Sequence, residues 1–512
     1  MTGWRLAALR AACGLVLLGL WQVGADLRPE AVPGPLATLL AGWADRAALL
    51  TDMRATALPA LAGFLIGNAL AIGLAIAFAL WLPLRRLFSA TVAILYALPP
   101  ITLGPLLVLA FHGMTPQIIL AGICVYYPTL HTTAFGLTEI DPRLKDVVAL
   151  YGGGPVTTLL RVRLRSSLPA LTAGLKIAAP AAILGAILAE FGSGAPGLGS
   201  ALLAAIGRGV PAHLWAVAMA ATALSAAVYG GMALLGRWMH AAAAPAPLLP
   251  GREPERQMAW GVTLAWGCAA CALPLCLWQM LPWLLGVSPI LLRPPTALMT
   301  YLVTGPGAAE AWSTLLPALG QSVPLAVLGM GTGLGGAFVL ALLVWLWQGL
   351  GRVVMPVALV MQSMPLVVFA PVIVLLFGRG YAGTLGVAGL VSFFPAFVAI
   401  LGGFERMPAP ARDVLDLYGA GRIAHLRYLM VPAAIPYLCA AARLVAPSAL
   451  LGVMTAEWLS TGYGLGGVLD EARGELDYGM SWSVALLAVI VSLTLVALAG
   501  LVERAIMRRF GA

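Results

Sequence analysis

The sequence predicts an all-α polytopic membrane protein of about twelve transmembrane helices, built as two parallel six-helix repeats. Three observations carry that reading. The 512 residues are 61% hydrophobic and 10% charged, with a mean hydropathy of +0.96, whereas soluble domains carry about 25% charged residues. Apolar stretches long enough to cross a bilayer recur along the whole chain. The chain also repeats itself at a nearly constant offset.

A spanning helix needs about 20 apolar residues. Such segments fall near 6–25, 56–81, 87–111, 117–137, 170–190 and 213–236, and again near 259–285, 321–347, 353–377, 383–403, 437–457 and 480–502. The first, with Arg5 and Arg10 ahead of an apolar run, resembles a signal peptide in composition. Trp21-Gln22 recurs as Trp278-Gln279 at the matching place in the second half. A segment that repeats internally reads as part of the fold, so the helix is taken as uncleaved.

The repeat organises everything else. A shift of 267 pairs Pro128 with Pro395, Gly136 with Gly403, Lys176 with Arg443, Glu190 with Glu457, and Gly197-Leu198-Gly199 with Gly464-Leu465-Gly466. Upstream a shift of 266 pairs Gly63 with Gly329, Gly67 with Gly333 and Pro105 with Pro371, so one residue is gained between the third and fourth segments. Each repeat has an even number of spans. Both therefore point the same way, about an axis along the membrane normal. The predicted domains are residues 1–240 and 258–512, joined by a Pro-rich, charged linker at 241–257.

Net charge is +9. No basic stripe with interleaved aromatics accompanies it, so nucleic acid is not a predicted partner. The charge instead sets sidedness: with both termini in the cytoplasm, 22 of the 29 Lys and Arg residues fall on the cytoplasmic side. Cys268-x2-Cys271 has the spacing of a metal pair, but no second pair or nearby His supports it. The six cysteines read as packing residues, the five histidines are scattered, and no metal, cofactor or catalytic residue is predicted.

Small residues at Gly63-x3-Gly67, Gly329-x3-Gly333 and Gly331-x3-Gly335 predict close helix crossings. Pro99-Pro100, Pro105, Pro365 and Pro371 predict a broken third helix in each half. Broken helices line cavities where the freed backbone groups find polar neighbours.

One polar stretch stands out. Asp146–Pro169 reads DVVALYGGGPVTTLLRVRLRSSLP, and Asp413–Pro436 reads DVLDLYGAGRIAHLRYLMVPAAIP. Asp146 and Asp413 are placed ahead of a short helix, where an acidic group favours the N-terminus. Leu150-Tyr151-Gly152-x-Gly154 and Leu417-Tyr418-Gly419-x-Gly421 are placed at its end, since Gly adopts the left-handed cap conformation. Pro169 and Pro436 are placed in the first turn of the fifth span. A single copy would pass as a solvated loop carrying positive-inside Arg. Two copies at matching positions argue for a docking element.

On these residues the chain resembles the permease subunits of ABC importers of the methionine and maltose type. Their signature is Glu-Ala-Ala, three residues, Gly, nine residues, Ile-x-Leu-Pro. The second copy matches as Asp413-Val414-Leu415, Gly419 and Leu429-x-Val431-Pro432; the first as Asp146-Val147-Val148, Gly152 and Val162-x-Leu164, with Arg165 in place of the proline. Within that family Leu-Tyr-Gly, Ala189-Glu190, Ala456-Glu457, the following Gly-Leu-Gly, and the Pro33-Gly34-Pro35 and Pro294-Pro295 turns are similar to the nitrate, sulfonate, taurine and pyrimidine-precursor importers. The resemblance implies a bacterial inner-membrane permease with two such domains fused. It implies coupling helices docked on two ABC ATPase subunits, a periplasmic substrate-binding protein, contact with lipid, and alternating access for a small polar or anionic solute. The chain itself is then no enzyme, and no Gly-Lys dipeptide of a phosphate-binding loop occurs in it.

Glu190 lies about 21 Å beyond Lys176 along the fifth span, and Glu190 and Glu457 are read as outer-gate or binding-protein contacts. Asp470, Glu471, Glu475 and Asp477 with Arg473 are read as a polar outer loop. The rival reading is a twelve-helix secondary carrier. It would place ionisable groups at the midplane, and none lies near Ile183 or Leu450.

Overall fold

The computed structural model describes residues 3–138, 142–241, 260–405, 407 and 409–509. Apart from Ala241, the predicted linker lies outside them. The described residues form helices, short π-helical turns and tight connections, with no strand among them.

Each half runs through the same elements. A first helix (Gly3–Leu27; Trp260–Leu285) leads to a proline turn and a short helix (Pro35–Ala44; Pro295–Met299). The second span follows (Arg46–Leu80; Ala308–Leu346), then a broken third segment (Leu82–Ala97 with Pro100–Ala110; Gln348–Ser363 with Leu366–Phe377). Next come the fourth span (Thr115–Thr138; Tyr381–Glu405) and a short helix (Pro142–Leu150; Ala409–Leu417). The fifth span is a helix-like run over Pro155–Ser193 and Arg422–Thr461. A short helix (Leu198–Arg208; Gly464–Gly474) then precedes the sixth span (Pro211–Ala241; Tyr478–Arg509).

Nine described helices are long and apolar enough to cross a membrane, ten when the bent pair of the first half counts as one. Three of the twelve predicted spans fall outside that set: the first helix, whose apolar part is Gly14–Leu27, and the two third segments. Proline at Pro99 and Pro365 removes a backbone donor, so each third segment splits into pieces too short to span alone. In the first half the pieces meet at 88°. Pro105 and Pro371, expected to share in the break, lie inside continuous helices.

Glycine brings the core spans together. A Cβ at Gly63 or Gly67 would meet Ile118, Ala121 or Gly122 of the fourth span, and one at Gly329 or Gly333 would meet Ala388, Gly389 or Ser392. Gly331 and Gly335 have nothing within 4 Å, so that third small-residue pair makes no crossing. The fifth span closes this group, with Gly185 against Leu120 and Ala121. A buried pair of polar side chains reinforces the first crossing, Thr129 Oγ1 donating to Asn68 Oδ1 at 2.5 Å.

The first helices dock the same way in both halves. Trp21 stacks on Trp215 with ring centroids 5.5 Å apart, and Trp278 lies 5.5 Å from Trp482. Trp215 Nε1 donates to Ala31 O at 3.2 Å and Trp482 Nε1 to Leu291 O at 2.8 Å. The repeat seen in the sequence is thus a repeat of side-chain contacts. The halves are also interleaved: Trp260–Leu285 packs on Leu82–Ala97 of the other half.

Candidate functional site

Two features recur at opposite ends of each fifth span. At its N-terminal end sits the duplicated turn. The short helix runs Pro142–Leu150 in one half and Ala409–Leu417 in the other. Gly152 and Gly419 end it at φ +73° and +65°, where a side chain would meet its own carbonyl. The turn is closed by Gly153 N–H to Val148 O at 2.9 Å and Ala420 N–H to Leu415 O at 3.0 Å. This geometry displays one apolar and one aromatic side chain at the tip: Leu150 and Tyr151 are 84% and 89% exposed, Leu417 and Tyr418 86% and 85%. Gly154 and Gly421 cap the helical turn that follows.

Two placements differ from the sequence reading. Asp146 and Asp413 are exposed and sit in the fifth position of their helices rather than ahead of them, because each helix starts earlier, at Pro142 and Ala409. Pro169 and Pro436 lie inside the fifth span, not in its first turn. The helical run begins at Pro155 and Arg422 and passes through a π-turn at Leu159–Arg163 and Leu426–Met430. The first copy keeps that π-turn with Arg165 where the second has Pro432, so proline does not impose it. The turn is tied to the helices behind it: Arg163 Nη1 donates to Ala79 O at 2.8 Å, at the end of the second span. In the other half His425 Nε2 lies 3.2 Å from Asp416 Oδ1.

At the far end of the fifth span the carboxylates of Glu190 and Glu457 are almost sealed, 0% and 2% exposed. Each clamps the Gly-Leu-Gly turn behind it. Glu190 Oε2 accepts the Gly199 N–H at 2.7 Å, and Glu457 Oε2 accepts the Gly466 N–H at 2.9 Å. A hydroxyl from the second span completes the clamp. Thr56 Oγ1 accepts the Leu198 N–H at 2.9 Å, and Ser322 Oγ accepts the Leu465 N–H at 2.8 Å while donating to Glu457 at 2.7 Å. The glycines are required by space: a Cβ at Gly199 would run into Ile187 O and Glu190, one at Gly466 into Met454 O and Glu457. Sequence reasoning singled out the two glutamates and the glycines but missed Thr56 and Ser322. The signal was there, since the 266 shift pairs them.

The supposed polar outer loop is partly helix. Asp470, Glu471 and Arg473 lie within Gly464–Gly474. Asp470 accepts the Trp458 Nε1–H at 2.6 Å, and Asp477 caps the sixth span by accepting the Met480 N–H at 3.0 Å. Asp470 and Asp477 are occupied in holding the fold together at this end. The halves meet here too: Phe191 and Trp458, one from each fifth span, pack edge to face at 6.5 Å. Further along the interface Tyr96 Oη donates to Leu444 O at 2.6 Å.

Two like helical units, with paired exposed turns at one end and paired buried carboxylates at the other, define a two-domain membrane permease. The chain belongs to the binding-protein-dependent transport system inner membrane component family, which matches residues 54–241 and again 333–511. It is 32% identical over 164 residues to a riboflavin transport system permease protein of Chloroflexus aurantiacus, covering 32% of this chain and 60% of that protein. It is 26% identical over 223 residues to a probable ABC transporter permease protein of Haemophilus influenzae, covering 43% of this chain and 88% of that one. A formylaminopyrimidine transport permease protein of Halalkalibacterium halodurans is 26% identical over 190 residues, covering 37% of this chain and 74% of the relative.

Proposed function

We propose that this chain is the transmembrane permease of an ATP-driven importer, with both permease domains on one polypeptide. It passes a small polar or anionic solute, of the nitrate, sulfonate, taurine or pyrimidine-precursor type, from a periplasmic binding protein to the cytoplasm. Of the relatives, one is named for formylaminopyrimidine, a solute of the pyrimidine-precursor type, and one for riboflavin. The observation that carries the reading is the paired turn. An exposed Leu-Tyr tip, braced by a left-handed glycine, is duplicated at the same end of the two fifth spans.

In this reading Leu150, Tyr151, Leu417 and Tyr418 seat in grooves on two separate ATPase subunits. Asp146 and Asp413, exposed on the same short helices, face that partner. Gly152, Gly154, Gly419 and Gly421 set the angle of the turn. Closure of the ATPase pair draws the two tips together. Each fifth span is one helical run from just past the tip turn, at Pro155 and Arg422, to its glutamate, so displacement at one end reaches the other. Glu190 and Glu457 act as gate residues by fastening Leu198–Arg208 and Gly464–Gly474 to those spans. The short helices then travel with the spans as the Phe191–Trp458 contact opens toward the binding protein. Both termini, and the tips, are cytoplasmic.

The test is to purify the chain with its ATPase and to compare Tyr151→Ala, Tyr418→Ala and the double variant. Each single variant should weaken binding-protein-stimulated ATP hydrolysis, and the double should abolish it while the chain stays folded. Hydrolysis and uptake that survive deletion of Tyr151–Gly154 and Tyr418–Gly421, with the ATPase still bound, would refute the coupling role.

A further inference from the structure

The extra residue gained between the third and fourth segments sits in a place where it matters. Phe111-His112-Gly113 in the first half corresponds to Phe377-Gly378-Arg379-Gly380 in the second, so the insertion adds a glycine and replaces His112 by Arg379. Gly378 and Gly380 hold φ +85° and +159°. The first is a conformation that side chains resist, and the pair pushes Arg379 out of the helical path on both sides.

Arg379 borders two cavities. One, of about 420 Å³, lies within the second half between Gln321, Tyr381, Ser460, Tyr463 and the edge of Glu457. That is within the usual range for small-molecule sites, about 300–1,000 Å³. The other, of about 160 Å³, lies between the halves, where Ala205 and Leu214 of the first face Pro371 and Leu459 of the second. Arg379 therefore stands where a compartment of one half adjoins the interface between halves.

Among the described residues Arg379 is the one cation lining the larger cavity. Thr384, Ser460 and Thr461 already give their hydroxyl protons to backbone carbonyls of Gly380, Ala456 and Glu457. Glu457 is turned into its clamp, accepting the Ser322 hydroxyl and the Gly466 N–H. Among the described residues no protein group pairs with the Arg379 guanidinium, the Gln321 amide or the Tyr381 and Tyr463 hydroxyls, and Arg379, Tyr381 and Tyr463 are exposed there. With the Glu457 carboxyl turned into its clamp and Glu30 bordering only the smaller cavity, the planar five-donor fork of Arg379 fits an oxoanion or carboxylate. The first half has no equivalent, since Ala55, His112 and Pro196 stand where Gln321, Arg379 and Tyr463 stand in the second.

We infer that the Arg379 cavity is an asymmetric receiving site for the anionic group of the solute, used before the solute enters the interface between halves. It deepens the importer reading and rests on it for the direction of travel. Binding itself needs neither ATPase nor binding protein, so it can be tested on the full chain alone. Sulfate, taurine and benzoate, at equal ionic strength, are titrated against the detergent-purified chain while its thermal unfolding is followed. At least one should raise the midpoint saturably. Arg379→Gln should weaken that response roughly 10- to 100-fold, the range for loss of one charge-assisted pair, Arg379→Lys should retain part of it, and His112→Gln should leave it unchanged. Equal responses in wild type and Arg379→Gln, or no saturable response to any of the three anions, would overturn the site. Loss of ATPase coupling with anion binding intact would instead count against the importer reading.

Discussion

The clamp on the second fifth span gives the sharpest quantitative prediction. Glu457→Ala removes the acceptor of two buried donors, the Ser322 hydroxyl and the Gly466 amide. A buried donor left without a partner costs about 1–3 kcal/mol, so the gross loss is about 2–6 kcal/mol. Deleting the carboxyl also removes the cost of burying it, and the net destabilisation should settle near 2–4 kcal/mol. For a unit of about 250 residues, 1 kcal/mol moves the unfolding midpoint by roughly 2–4 °C. Glu457→Ala should therefore unfold roughly 5–15 °C below wild type in detergent. Glu457→Gln keeps one carbonyl oxygen in place and should lose about 1 kcal/mol, the worth of one hydrogen bond. Ser322→Ala orphans the Leu465 amide and should fall between the two. Because Ser322 and Glu457 share one network, the double variant should be milder than the sum of the singles by about 0.5–3 kcal/mol. Midpoints within about 1 °C of wild type for Glu457→Ala, or strict additivity in the double variant, would show that the clamp does not hold this end together.

Other consequences follow from the same geometry. Gly329→Val forces a side chain into Ala388 at the crossing of the second and fourth spans and should cost about 1–3 kcal/mol by overpacking. Gly331→Ala, with open space around it, should stabilise the helix slightly, about 0.5–1 kcal/mol; equal midpoints for the two variants would contradict the assigned crossing. Gly152→Ala or Gly419→Ala places a side chain at φ +73° or +65° and should cost roughly 1–2 kcal/mol, read as a lowered midpoint and weaker ATPase coupling. Burial, aided by its hydrogen bond to Asp477 at 2.8 Å, pushes the Tyr301 phenol above its ordinary value. The protonated phenol is favoured by the fold, so its stabilisation is complete below about pH 10 and is lost as pH rises further toward the raised value. Tyr301→Phe should flatten that alkaline loss in a pH-dependent unfolding series.

The parts legible in the sequence were those with a period or a repeat. Continuous apolar runs located nine of the twelve predicted spans among the described residues, and offsets of 266 and 267 gave the two units and the partners of each residue. The glycine that ends each short helix was readable because a left-handed turn leaves few alternatives. Helix starts were not. Asp146 and Asp413 looked like N-terminal residues because polarity rises there, yet Pro142 and Ala409 begin the helices one turn earlier. Pro169 and Pro436 looked like starts, but the fifth span carries them inside a longer run, preceded by a π-turn.

The amino-acid order alone determined that this is a two-unit membrane protein with a polar turn repeated on equivalent helices. Hydrophobic length and internal repetition are one-dimensional properties and survive without coordinates. Only the tertiary structure decided which way Glu190 and Glu457 face, because a carboxylate at a helix end can reach solvent or a backbone amide. Here the amides of Gly199 and Gly466, brought within 2.7 and 2.9 Å by glycines that leave no room for a side chain, take them. It also placed Arg379 between two cavities, a position that depends on how the halves pack and that no local pattern of residues encodes.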